Sequence, residues 1–245
     1  MICENFLKII FKLIIITLAL LSSIIYANPE EFSGSVQPIP NKIRKHMIGY
    51  TWNKNCPVPL DDLSYLSITY YGFDHKNHIG HLIILNNLAL ETLQIFRTLY
   101  RHKFPIERMV LPSSYKSTDD WKSTEHNNTL GFFCRKDDQT TTQFSKHSYG
   151  VAIDINPKYN PAPVSNHKVQ PENGAKYLNR KLKHQGMIKK NSMVVNLFTH
   201  YGWNWGGYWP PTEVDYMHFQ KAMDSHYTCT HMIYTHINPK PLFSR

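Results

Sequence analysis

The chain has little of what several alternatives to an ordinary folded domain require. After the first 27 of its 245 residues, no segment is apolar enough to span a membrane. No internal repeat appears, which argues against a solenoid or propeller. Acidic residues are scarce, 18 against 27 basic ones, for a formal charge of +9. That positive charge is scattered, with no dense basic run, so nucleic-acid binding is not expected. Only four cysteines occur, Cys3, Cys56, Cys134 and Cys229, and none has the spacing of a cysteine zinc set.

The one long apolar run is N-terminal. Lys8 and Lys12 precede Leu13 to Ile25, and Ile25-Tyr26-Ala27 reads as a cleavage site ending in a small residue. The run is shorter than the roughly 20 residues of a spanning helix, so a cleaved signal peptide over 1–27 is favoured over an uncleaved anchor. An exported chain with no membrane span after cleavage is expected, in the periplasm or cell envelope or secreted. Cys3 leaves with the signal, as does a net charge of +1, leaving +8 and three cysteines on the rest. In that setting a basic surface points to an anionic envelope.

The densest chemistry lies at Ser145-Lys146-His147-Ser148-Tyr149-Gly150-Val151-Ala152-Ile153-Asp154, followed by Asp215-Tyr216-Met217-His218. His147, Asp154 and His218 match the three protein ligands of a catalytic zinc, whose fourth position takes water. A metal there lowers the pKa of water towards about 7. Asp215 is then the candidate general base; three residues before His218, it would share a face with it on one helical turn. His147 and Asp154 are an odd number of residues apart, so a straight strand would point them to opposite faces. A bend is therefore expected at Tyr149-Gly150, with a strand from Val151 that Asn156-Pro157 ends. The other histidines, His75, His78, His81, His226, His231 and His236 among them, read as ordinary residues.

This constellation resembles the zinc D-alanyl-D-alanine carboxypeptidase and L-alanyl-D-glutamate endopeptidase family of peptidoglycan peptidases. Cys56-Pro57-Val58, Phe104-Pro105-Ile106, Asn127-Asn128-Thr129, Cys134-Arg135, Ile155-Asn156-Pro157, Trp203-Asn204-Trp205-Gly206-Gly207 and His218-Phe219 look like blocks of one branch of it, over roughly residues 50 to 222. The resemblance implies one zinc per chain on His147, Asp154 and His218, and Asp215 as base. It implies Arg135 as the cation for the scissile carbonyl or a substrate carboxylate. Such a guanidinium would stabilise an oxyanion as it forms. Asp215 stands where many members have Glu, so its backbone must sit closer to the metal. Ser145 is either a substrate hydrogen-bond donor or a turn residue. Trp205, in its aromatic run, is either a wall of the substrate cleft or part of a packed corner. Cys56 and Cys134 fall in blocks of the same branch and are expected to form a disulfide; Cys229 is unassigned.

The expected organisation is a signal peptide (1–27), an N-terminal arm (28–48), a zinc peptidase domain (49–224) and a C-terminal tail (225–245). Strands are predicted at 66–73, 79–85 and 106–111, with a helix from Asn86 or Asn87 to about Lys103 whose buried stripe includes Leu88, Phe96 and Leu99. Further helices are predicted around 175–184 and over 192–201. Loops fill 112–146 and 158–190. Mixed strands and helices without a βαβ rhythm indicate an α+β domain. The resemblance implies a small antiparallel sheet flanked by helices, as in these peptidases and the Hedgehog signalling domain. The expected function is hydrolysis of a peptide bond in the peptidoglycan stem, with stem peptides as partners; the oligomeric state is open. The alternative is a non-catalytic zinc module that binds cell-wall peptides.

Overall fold

The computed structural model describes residues 32–137, 142–164 and 168–222. The expected signal peptide, the tail from 225, Cys229 and the three late histidines lie outside the described residues. The first sheet starts earlier than the sequence pattern suggests. Gly34–Pro38, in the stretch read as an arm, forms β1, and Asn41–Met47 forms a short helix, α1. β1 pairs antiparallel with β2 (Leu63–Tyr71), and β2 with β3 (Asn77–Leu85). No residue of β1 is fully buried, so it shows no apolar alternation to read. On β2, by contrast, Leu66, Ile68 and Tyr70 are buried between half-buried Tyr65 and Tyr71.

After a 3-10 turn at Asn86–Leu88, helix α2 (Ala89–Arg101) covers this sheet with Leu93, Phe96 and Leu99. Residues 106–111, predicted as a strand, join no ladder beyond an isolated bridge between Arg108 and Asn128. Their polar backbone groups are taken elsewhere. The Met109 carbonyl accepts from His81 N (2.8 Å) on β3. Asn128 accepts from Val110 N (2.8 Å) and donates to its carbonyl (2.9 Å) through its side chain. The helix predicted around 175–184 is likewise absent; the chain forms 3-10 turns over Glu172–Leu178. Gly174 there packs against the Lys158 carbonyl, which a Cβ would approach to 2.7 Å. Arg180 then donates to the carbonyls of Tyr159 and Tyr177, each at 2.9 Å, drawing the chain inward.

A second antiparallel sheet has the order β4 (Ala152–Asp154), β8 (His218–Lys221), β7 (Trp203–Trp205). Helix α4 (Met193–His200) is capped by Ser192, not by Asn191 before it, and packs Phe198 on Phe219 with ring centroids 4.0 Å apart. Glu91 on α2 reaches this sheet, accepting from Trp203 Nε1 (2.8 Å) and from Lys221 Nζ (2.7 Å). A short helix α3 (Trp121–Glu125) and a hairpin, β5 (Ala162–Val164) and β6 (Lys168–Gln170), complete the described elements. The fold is α+β, small antiparallel sheets flanked by helices. None of the described helices is long and apolar enough to cross a membrane.

Cys56 and Cys134 are joined by a disulfide across a sequence separation of 78. Such bonds persist in oxidising compartments, in keeping with export. The bond ties the segment after α1 to the residue before Arg135. Closing a loop of this length stabilises the fold by about 4 kcal/mol in the chain-entropy model. The Cys56→Ser, Cys134→Ser double variant should therefore unfold at lower denaturant, a loss of roughly 2–5 kcal/mol read by chemical denaturation. Unchanged stability would show that the bond carries no constraint.

Candidate metal centre and cleft

The metal motif folds as its spacing demands. Residues Lys146–Tyr149 form one 3-10 turn, with Ser145 Oγ accepting from His147 N (3.3 Å) at its start. Gly150 ends the turn at φ 69°, and a Cβ there would come within 2.7 Å of Leu85 N, so both backbone and space require glycine. The chain then enters β4. Asp154 sits opposite His218 in the β4–β8 register, so pairing alone brings these two side chains together. On the other side of β4, Asp154 and Leu130 exchange both backbone hydrogen bonds, at 2.9 and 3.0 Å. His147, delivered by the turn, lies over the same point.

The three side chains converge in the interior. One ligand-type atom from each of His147, Asp154 and His218 lies within 4.8 Å of the others, and all three residues are buried. Asp154 Oδ1 is 2.9 Å from His218 Nδ1, and Oδ2 is 3.2 Å from His147 Nε2. Each imidazole is held by its other nitrogen: His147 Nδ1 lies 2.6 Å from the Gly131 carbonyl, and His218 Nε2 lies 3.1 Å from Gln220 Oε1. Both outer partners are acceptors, so with a metal bound each ring would carry its proton outward and turn a lone pair to the shared point. Ligating histidines are held in this way. Two imidazole nitrogens and a carboxylate with an outer shell are a donor set that fits a zinc-like ion.

Asp215 lies in the loop before β8, and not on a helical turn as the spacing suggested. It still reaches the site, because the loop is folded back by Asp215 N donating to the Gly206 carbonyl (3.1 Å). Gly206 permits this close approach; a Cβ on it would meet Asp215 O at 2.5 Å. The Asp215 carboxylate accepts from Met217 N (3.2 Å). Burial first, and then the charge of Asp154, push its pKa up to about 6. Burial also pushes Asp154 up, but the two imidazoles outweigh it and hold that carboxyl far below the usual range. For His218 burial works downward, yet the hydrogen bond and charge of Asp154 raise it overall.

A cleft of about 720 Å³ opens on this centre. Arg135 and Ser145 line it. Trp205 does not. It is buried, its Nε1 donating to the Tyr216 carbonyl (2.9 Å), because residues 203 and 205 of β7 face the same side, into the core. Trp209 lines the cleft in its stead, its ring 5.4 Å from that of His218. Sequence reasoning also missed Asp120, Gln220 and the β5–β6 hairpin. Gln220 was within reach of it, since it lies two residues from His218 on one strand. Asp120, buried and 2.7 Å from Arg135 Nε, sits in a polar loop with no periodicity to mark it.

The family model described as D-alanyl-D-alanine carboxypeptidase matches residues 138–221, a segment that runs from before His147 to beyond His218. Over that segment the chain is similar to the D-alanyl-D-alanine carboxypeptidase family. The likeness is to a peptidase family, and the matched segment holds a site suited to a metal. Arg135, Asp120 and both cysteines of the disulfide lie before the matched segment. No curated protein and no solved structure matches the chain.

Removing one donor should empty the centre. The purified His218→Ala protein is expected to hold less than a tenth of the zinc bound by the unaltered chain, measured by elemental analysis after dialysis. Retention of one equivalent would mean that the ion sits elsewhere.

Proposed function

We propose that this protein is an exported zinc metallopeptidase that hydrolyses a peptide bond in the peptidoglycan stem. The observation that carries the reading is the buried His147–Asp154–His218 cluster with a raised carboxylate, Asp215, beside it in one cleft. The family match supplies the class of chemistry. A zinc ion, when bound, supplies the Lewis acid and the activated water.

The roles of the chain's own residues follow from chemistry and position. His147, Asp154 and His218 hold the ion, their orientation fixed by Gly131 and Gln220. Asp215 takes the proton of the attacking water on its carboxylate and passes it to the amine nitrogen that leaves. Arg135 donates to the carbonyl oxygen as negative charge grows there. Ser145 caps the turn that carries His147, and its place on the cleft wall lets its hydroxyl meet substrate as well. Trp209 shields the His218 side of the cleft and offers a face for a peptide to lie on.

Asp215 works as a base only when ionised. With its pKa raised to about 6, activity should fall as pH drops through that value. A bound cation favours the carboxylate and moves the fall lower. The acid limb of kcat/KM is therefore expected at or below about pH 6, and a limb well above 6 would contradict the assignment. The Asp215→Ala protein should keep its zinc and lose at least a hundredfold in kcat, in line with the ~10²–10⁴ of general-base catalysis. Mass spectrometry of muropeptides incubated with the zinc-loaded protein tests the reaction itself. Loss of terminal D-Ala identifies a carboxypeptidase, and a cut between L-Ala and D-Glu an endopeptidase. Stoichiometric zinc without any cut would leave a binding module as the better description.

A further inference from the structure

At one corner of the cleft the Arg135 cation is paired with a buried carboxylate. Asp120 is almost fully buried, and its Oδ2 accepts from Arg135 Nε at 2.7 Å. Arg135 Nη1 also donates to the Lys136 carbonyl (3.1 Å). Asp137 lines the same cleft. Lys136, the neighbouring cation, is turned away: its Nζ donates to the Thr142 carbonyl (3.1 Å) and lies 3.9 Å from the Phe144 ring centroid. The guanidinium is thus paired with a carboxylate buried against it. The Ser148 hydroxyl fixes the backbone beneath, with Arg135 N donating to Ser148 Oγ (2.9 Å) and Ser148 Oγ donating to the Arg135 carbonyl (2.7 Å).

This arrangement separates the two tasks open to Arg135. An Arg that binds a terminal carboxylate works by charge as well as by hydrogen bonding. Here an incoming carboxylate would meet a guanidinium already compensated by Asp120. A neutral carbonyl oxygen faces no such repulsion and needs only an oriented N–H. It gains that from an arginine whose planar fork is pinned from behind.

We propose that Asp120 is a positioning and specificity residue: it holds Arg135 and cancels its charge, so that this corner takes an uncharged peptide carbonyl in preference to a free C-terminal carboxylate. The inference rests on the peptidase reading above and makes the site an endopeptidase cleft, taking a peptide chain that continues past the cut. Lys146 and Lys168 also line the cleft, away from the Arg135–Asp120 pair in sequence, and give the acidic groups along a stem peptide their own partners. Asp120 performs no chemistry itself.

The test is binding, independent of turnover. Two synthetic stem pentapeptides, one with a free C-terminal carboxylate and one with a C-terminal amide, are titrated by calorimetry into the zinc-loaded full-length protein carrying Asp215→Ala. The proposal expects the amide to bind at least as tightly as the acid. In an Asp120→Asn background, which keeps a hydrogen-bond acceptor for Arg135, the acid should gain at least tenfold over the amide; Asp120→Glu should restore the original order. The same acid-to-amide ratio with and without Asp120→Asn, a clear preference for the acid in the presence of Asp120, or no binding of either peptide would each overturn it. Cleavage of the same peptides by the unaltered protein is scored separately: binding that follows the expected order without any hydrolysis would refute the peptidase reading and leave the role of Asp120 standing.

Discussion

The structure of this protein turns on the Asp154 carboxylate, buried where two strands and a turn meet. Its backbone is locked to Leu130 by a reciprocal pair of hydrogen bonds, and its register partner on β8 is His218. A carboxylate taken out of water is costly unless it is paired. Two imidazoles, His147 and His218, answer it from either side. The imidazoles hold Asp154 ionised against its burial, and its charge adds to the burial that raises Asp215. A divalent cation at the shared point would satisfy every group in it at once.

The surrounding fold is arranged to keep that point fixed. The disulfide anchors the segment that ends in Arg135, and the same segment provides the Gly131 carbonyl for His147. Glu91 links α2 to both Trp203 and Lys221, so the first sheet and its helix brace the second. On the loop side, Arg180 stacks on the Tyr216 ring, its guanidinium carbon 4.4 Å from the centroid, beside Asp215 and Met217. Burial of Arg180 lowers its pKa to about 10, still leaving it charged at neutral pH for that contact. Asp215 and the three candidate metal donors thus sit on different elements but share one frame.

How much of this is legible in the sequence depends on whether local rules apply. The bend at Gly150 is legible because an odd spacing cannot place two ligands on one face. The end of α2 is legible to within about two residues, but its start has no side-chain cap, a 3-10 turn at Asn86–Leu88 preceding it. The spacing of Asp215 and His218 predicts their proximity through a helical turn that does not exist; the loop is shaped by a distant contact with Gly206, which no spacing encodes. Strand alternation pairs Trp205 with Trp203 in the core, so the cleft-wall reading of Trp205 fails and Trp209, beyond the strand, faces the cleft. β1 gives no signal because an exposed edge strand buries nothing. Asp120 matters only through its contact with Arg135, fifteen residues away, and such a pairing is a property of the folded loop.

The central claim is that two imidazoles and one carboxylate of this chain hold a zinc ion. X-ray absorption at the zinc edge on the loaded protein measures that most directly. The account predicts an all nitrogen and oxygen shell at about 2.0–2.1 Å, with the outer-ring scattering of two imidazoles and no sulfur. A sulfur shell at about 2.3 Å, or a shell without imidazole scattering, would contradict it.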